Sequence, residues 1–146
     1  MLVKQVSVFI ENTTGRLAQF TGVLREAKID IVALCIADTV DFGILRCIVS
    51  DPDKAAQELK SHGFTASITN MVAVEIEDKP GGLARVLDLM AAEGIGVDYM
   101  YSFIRGHKGT GLMLFKFADN DRALKTLSDN GIPVLCQKDI NELKIG

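Results

Sequence analysis

VSVFIENTTGRL at residues 6–17 and VAVEIEDKPGGL at residues 72–83 are two copies of one pattern. Each is a run of alternating or continuous apolar residues, then a polar turn, then Gly-x-Leu. The apolar run has strand character. The turn supplies glycine and short polar side chains where a chain leaves a strand and enters a helix. One such stretch describes a strand–turn–helix, and two at a spacing of 66 residues describe a repeat.

The repeat extends outward from these stretches. At an offset of 66, Val6, Val8, Ile10 and Glu11 meet Val72, Val74, Ile76 and Glu77, while Gly15, Leu17, Ala18 and Ile29 meet Gly81, Leu83, Ala84 and Ile95. Further on the offset is 68. Gly43, Asp51, Asp53 and Ala55 then meet Gly111, Asp119, Asp121 and Ala123, and Leu59 and Gly63 meet Leu127 and Gly131. The change places a two-residue insertion around Arg105 to Thr110, a turn-like stretch where extra length costs little.

Each copy reads β-α-β-β-α-β. In the first, a strand at Val6–Ile10 is followed by a helix with the stripe Leu17, Phe20, Leu24, Ala27. Strands at Ile31–Ala37 and Ile44–Val49 come next. Asp51-Pro52 opens a second helix that buries Ala55, Ala56 and Leu59, Gly63 ends it, and Phe64–Ile68 closes the copy. In the second, the same plan uses Met71–Ile76, the stripe Leu83, Val86, Leu87, Met90, then Val97–Phe103 and Leu112–Phe117. Ala123, Leu124 and Leu127 face the sheet, and Val134–Cys136 is the last strand. This predicts an α+β sandwich of two tandem ferredoxin-like domains, residues 1–70 and 71–146, each with helices on one face of an antiparallel sheet. Two four-stranded sheets of this kind can join edge to edge into one of eight strands, and open outer edges predict a homodimer.

Composition excludes several functions. A net charge of -3 and an isoelectric point near 5.3 give no broad surface for nucleic acid or anionic lipid. Base stacking needs aromatic side chains on the central strands. The strand Ile44–Val49 has none, and Phe115 and Phe117 sit among Leu and Met as core residues. Cys35, Cys47 and Cys136 form an odd set without a C-x-x-C pair, which argues against a disulfide framework or metal site. No leader or membrane-spanning run stands out, so the expected setting is the cytoplasm. His62 falls at a helix end and His107 in the inserted loop. No nucleophile–base pair is apparent, so no catalytic residue, cofactor or metal is expected, and an enzyme is the least favoured class.

The pattern [Asn/Asp]-x-x-Gly-x-Leu after the first strand of a βαββαβ unit resembles the ACT domain. The resemblance covers nearly the whole chain, twice, and the chain also looks like the small stand-alone tandem ACT proteins. It implies an amino-acid-binding regulatory protein, with the effector where two modules meet. The first site would then use Asn12, Thr13, Thr14, Gly15, Arg16 and Leu17 opposite Tyr99, Met100, Tyr101 and Ser102. The pseudo-symmetric one would use Asp78, Pro80, Gly81, Gly82 and Leu83 opposite Ala33, Leu34, Cys35 and Ile36. Arg16 can grip a carboxylate, which makes the first site the expected polar one and leaves the second vacant or given to packing. The same residues have a plain reading: Asn12 to Thr14 as a helix cap, Arg16 as an exposed first-turn residue, and the tyrosines as interface side chains. The competing function is a regulatory subunit that docks on an enzyme of amino-acid metabolism without binding a ligand itself.

Overall fold

The computed structural model describes residues 1–38, 41–103 and 108–143. His107, Arg105 and Gly106 of the inserted loop lie outside the described residues. The elements run β1 (Val3–Glu11), α1 (Arg16–Glu26), β2 (Ile31–Asp38), β3 (Phe42–Val49), α2 (Pro52–Ser61), β4 (Thr65–Glu77), α3 (Gly82–Ala92), β5 (Val97–Ser102), β6 (Thr110–Phe117), α4 (Asn120–Asp129), β7 (Val134–Leu135) and α5 (Gln137–Glu142). Two compact units result: Lys4–Thr69, and Asn70–Gly146 together with Met1–Val3. No helix among the described residues is long and apolar enough to cross a membrane.

In the Lys4–Thr69 unit, β3 pairs antiparallel with β1 on one side and β2 on the other, and the start of β4 lies beyond β1. Alternation decides which face is buried. Val6, Val8 and Ile10 point into the core opposite Cys47, Leu45 and Gly43, while Phe9 between them is half exposed. Phe20 and Leu24 of α1 and Ala55 and Leu59 of α2 cover that face. Fully burying an aliphatic or aromatic side chain of this kind stabilises the fold by roughly 1.5–3 kcal/mol. The helix α2 begins as expected, with the Asp51 carboxylate accepting from the Lys54 N–H at 3.1 Å and Pro52 in the first turn.

The second unit repeats the arrangement. The end of β4 pairs antiparallel with β6 and β7, and β6 pairs with β5. Val72, Val74, Val86, Met90, Ile95, Phe115, Phe117 and Leu127 form its core, with Leu2 packed against it. Phe115 and Phe117 stack at 4.9 Å and are fully buried, as their neighbours in sequence implied. Asp119 caps α4 through the Arg122 N–H at 3.1 Å, repeating the Asp51 cap.

Three expectations need correction. The strands foreseen as Phe64–Ile68 and Met71–Ile76 are one strand of 13 residues, so seven strands stand among the described residues where eight were expected. A lone polar Asn70, without glycine or proline beside it, does not break extended backbone. The last strand ends at Leu135, because Cys136 caps α5: the Asp139 carboxylate accepts from the Cys136 N–H at 2.8 Å. That six-residue helix is too short to show a stripe, although its Ile140 is fully buried. Finally, Asn12–Thr14 do not cap α1. Its cap position is Gly15 at φ 88°, with no side-chain hydrogen bond, and Gly81 repeats this before α3 at φ 89°.

Candidate functional site

The two glycine turns share a hydrogen-bond pattern. In each, the second residue donates its N–H back to the strand's last carbonyl: Thr13 to Glu11 at 2.8 Å, and Lys79 to Glu77 at 3.0 Å. The helix then starts from a glycine in the left-handed region, a conformation that disfavours any residue with a Cβ. The first turn of a helix holds N–H groups with no partner inside the helix, and its positive end suits an anionic group.

The second turn opens on a cleft of about 650 Å³ inside its own unit, lined by Glu75, Glu77, Lys79, Gly82, Arg85 and Thr110 on its polar sides. Ile76, Pro80, Gly81, Val86, Gly131, Ile132 and Pro133 complete the wall. Two carboxylates and two cations therefore meet around a glycine turn. Lys79 contacts the Glu77 carboxylate, and this hydrogen bond and charge, with Arg85 adding to them, hold the Glu77 carboxyl below its ordinary range. Thr110 donates its hydroxyl to Glu75 at 2.9 Å, and Arg85 donates to the Asn130 carbonyl at 3.1 Å. Gly82 is fixed by contact rather than by φ: a Cβ there would collide with the Glu77 carbonyl.

The corresponding place in the first unit is largely occupied. Arg16 stands where Gly82 stands in the repeat, and its guanidinium carbon lies 3.9 Å above the centre of the Phe64 ring. Arg16 also donates to Gln19 at 3.0 Å and sits 3.6 Å from the Glu11 carboxylate. A shallow recess of about 280 Å³ remains, lined by Arg16, Gln19, Val23, His62 and Phe64. His62 is at the end of α2, with Nδ1 2.8 Å from the Glu58 carbonyl.

Of the residues singled out from sequence, Pro80, Gly81 and Gly82 line the large cleft, while Asp78 and Leu83 do not. Leu83 packs on the second core, and the Asp78 N–H donates to Gly109. Asn12, Thr13 and Leu17 meet Ile36 of their own unit around a small recess of about 100 Å³. Thr14 and Gly15 are exposed beside it. Tyr99, Met100, Tyr101 and Ser102 all lie on β5, with the Tyr99 hydroxyl 3.6 Å from Met71 Sδ, Met100 packed on the core and Ser102 exposed. On β2, Ala33 is buried, Leu34 and Ile36 are exposed, and Cys35 is opposite Arg46. Burial raises the Cys35 thiol, with Arg46 opposing, and pushes Cys47 up to about 12, so both stay protonated at neutral pH. Glu75, Glu77, Lys79, Arg85 and Thr110 were not foreseen. The signal available for Arg85 was its place one helical turn beyond Gly82, on the side facing the turn.

Comparison with other proteins agrees with this organisation. A profile described as the ACT domain pair matches residues 1–144. The crystal structure of BT0572 from Bacteroides thetaiotaomicron is 40% identical, covers 98% of each chain and has a TM-score of 0.92. The ligand-free regulatory subunit of aspartate kinase from Thermus thermophilus shares the fold at 15% identity and a TM-score of 0.66, over 88% of this chain and 93% of that one. The corresponding subunit from Thermus flavus gives 14% and 0.60, over 86% and 90%. Curated proteins gave no match. Two βαββαβ units, each opening its first helix from a Gly-x-Leu turn, and a profile match across nearly every residue place the chain in the ACT domain pair family.

Proposed function

We propose that this protein is a regulatory module that binds a free amino acid, and that the binding site is the cleft of the second unit. The observation that carries the reading is the set of charges there. Arg85 and the start of α3 suit a carboxylate, while Glu75 and Glu77 suit an ammonium group. A zwitterion meets both at once. A space of about 650 Å³ lies within the roughly 300–1,000 Å³ typical of small-molecule sites. The fold shared with the aspartate kinase regulatory subunits supports a regulatory role over a catalytic one.

A thermal-shift screen against the twenty amino acids tests this. At a hundred times its dissociation constant, the effector adds about 2.7 kcal/mol, which raises the midpoint by several degrees. Arg85→Ala removes the rise. If no amino acid moves the midpoint, the reading is lost.

A second reading has its own observation. Phe9 and Phe42 are each about half exposed and touch edge to face at 6.1 Å, and Leu17, Leu34 and Ile36 are exposed in the same unit. Such a surface favours docking of a protein, either a second copy of the chain or an enzyme of amino-acid metabolism. Light scattering distinguishes self-association from a 15.8 kDa monomer. Co-purification of an enzyme, with no thermal response to any amino acid, supports the docking subunit.

A further inference from the structure

The internal repeat lets one cleft be read against the other. Glu11, Arg16, Gln19 and Phe64 of the first unit correspond to Glu77, Gly82, Arg85 and Ile132 of the second, and all four in the second unit line its cleft. In the first unit the Arg16 side chain is only 19% exposed and fills the equivalent space. It makes the three contacts a bound cation would make there: an aromatic face at 3.9 Å, an amide oxygen at 3.0 Å and a carboxylate at 3.6 Å. One detail marks it as a tethered occupant. The Arg16 Nε is buried without a hydrogen bond, 3.6 Å from the Glu11 carboxylate.

The second turn cannot acquire such an occupant by simple substitution. A Cβ at Gly82 would run into the Glu77 backbone, which keeps that cleft clear of any side chain from this position.

We propose that Arg16 is a built-in ligand: it occupies the first unit's cleft with its own guanidinium, and each chain therefore offers one open cleft of this kind instead of two. The single-site count rests on reading the second cleft as a binding site. The occupancy of the first by Arg16 does not. With the side chain removed, Glu11, Gln19 and Phe64 remain as a site for a small planar cation, whose guanidinium can hydrogen-bond Glu11.

Methylguanidinium chloride is the probe, measured by thermal melts on Arg16→Ala and on the unmodified chain against matched potassium chloride. The variant is expected to melt lower and to regain about 2–6 °C when the probe is at several times its dissociation constant. The unmodified chain shows no gain. Arg16→Gln, which keeps most of the bulk and none of the charge, serves if Arg16→Ala does not fold, and it too should respond to the probe. An equal gain in the unmodified chain, or no gain in whichever variant folds, overturns the proposal. Calorimetric titration with L-arginine on the folded variant reads the same site, with uptake expected there beyond that of the unmodified chain. If the unmodified chain binds no amino acid at all, the regulatory reading fails, while the methylguanidinium result still decides the role of Arg16.

Discussion

The two units agree in their cores and differ at their turns. Leu24 and Met90 occupy equivalent places in α1 and α3 and are each about 1% exposed; Asp51 and Asp119 cap α2 and α4 in the same way. At the turn, however, one unit carries Arg16 over Phe64 and the other carries Gly82 beside an open cleft. Packing needs volume and alternation, so both copies retain it. Both turns keep their left-handed glycine, while the next residue differs: Arg16 in one and Gly82, held by contact with Glu77, in the other. The same divergence reaches the sheet, where Phe9 and Phe42 of the first unit correspond to the hydrogen-bonded Glu75 and Thr110 of the second.

The largest effects should come from the shared core. Leu24→Ala and Met90→Ala should each cost about 2–5 kcal/mol by denaturant unfolding. Clearly unequal costs would show that the two cores are not equivalent. Gly82→Ala comes next, at about 1–3 kcal/mol, since a backbone carbonyl must give way. If that substitution is neutral, the close approach of Glu77 to Gly82 is wrong. Gly15→Ala and Gly81→Ala should cost about 1–2 kcal/mol each, nearly alike, because both glycines hold the same φ and a Cβ meets nothing at either. A large gap between them would break the equivalence of the turns. The smallest effect is electrostatic. The Glu77 carboxyl titrates below its ordinary range, so its pairing with Lys79 persists above that range and is lost only as pH falls through the lowered value. Carboxylate NMR should show this midpoint, and Lys79→Ala should raise it, with Arg85 still lowering it.

Much of the fold was legible because period, glycine placement and repetition all agreed. The Gly-x-Leu turns, the stripe residues Phe20, Leu24, Val86 and Met90, and the Asp51 cap each had a local signal, whereas Leu17, expected in the first stripe, is exposed. The union of two strands in β4 had none, since it depends on the absence of a breaker between them. The site was legible only in part. Pro80, Gly81 and Gly82 come from the motif itself, but Glu75, Arg85, Thr110 and Ile132 reach the cleft from four separate elements or turns. Arg16 was read as a group for an incoming carboxylate. The structure gives it to Glu11, Gln19 and Phe64, a choice made by neighbours that lie up to 48 residues away in the chain.

The packing of Leu2 on the second core has a consequence for synthesis. The ribosome makes Leu2 before any of the surface it will cover, and Leu127 of that core follows 125 residues later. At about 5–20 residues per second, that is an interval of roughly 6–25 s. The Lys4–Thr69 unit can fold meanwhile, but the strand end beside it must wait, and the segment made early is fastened last.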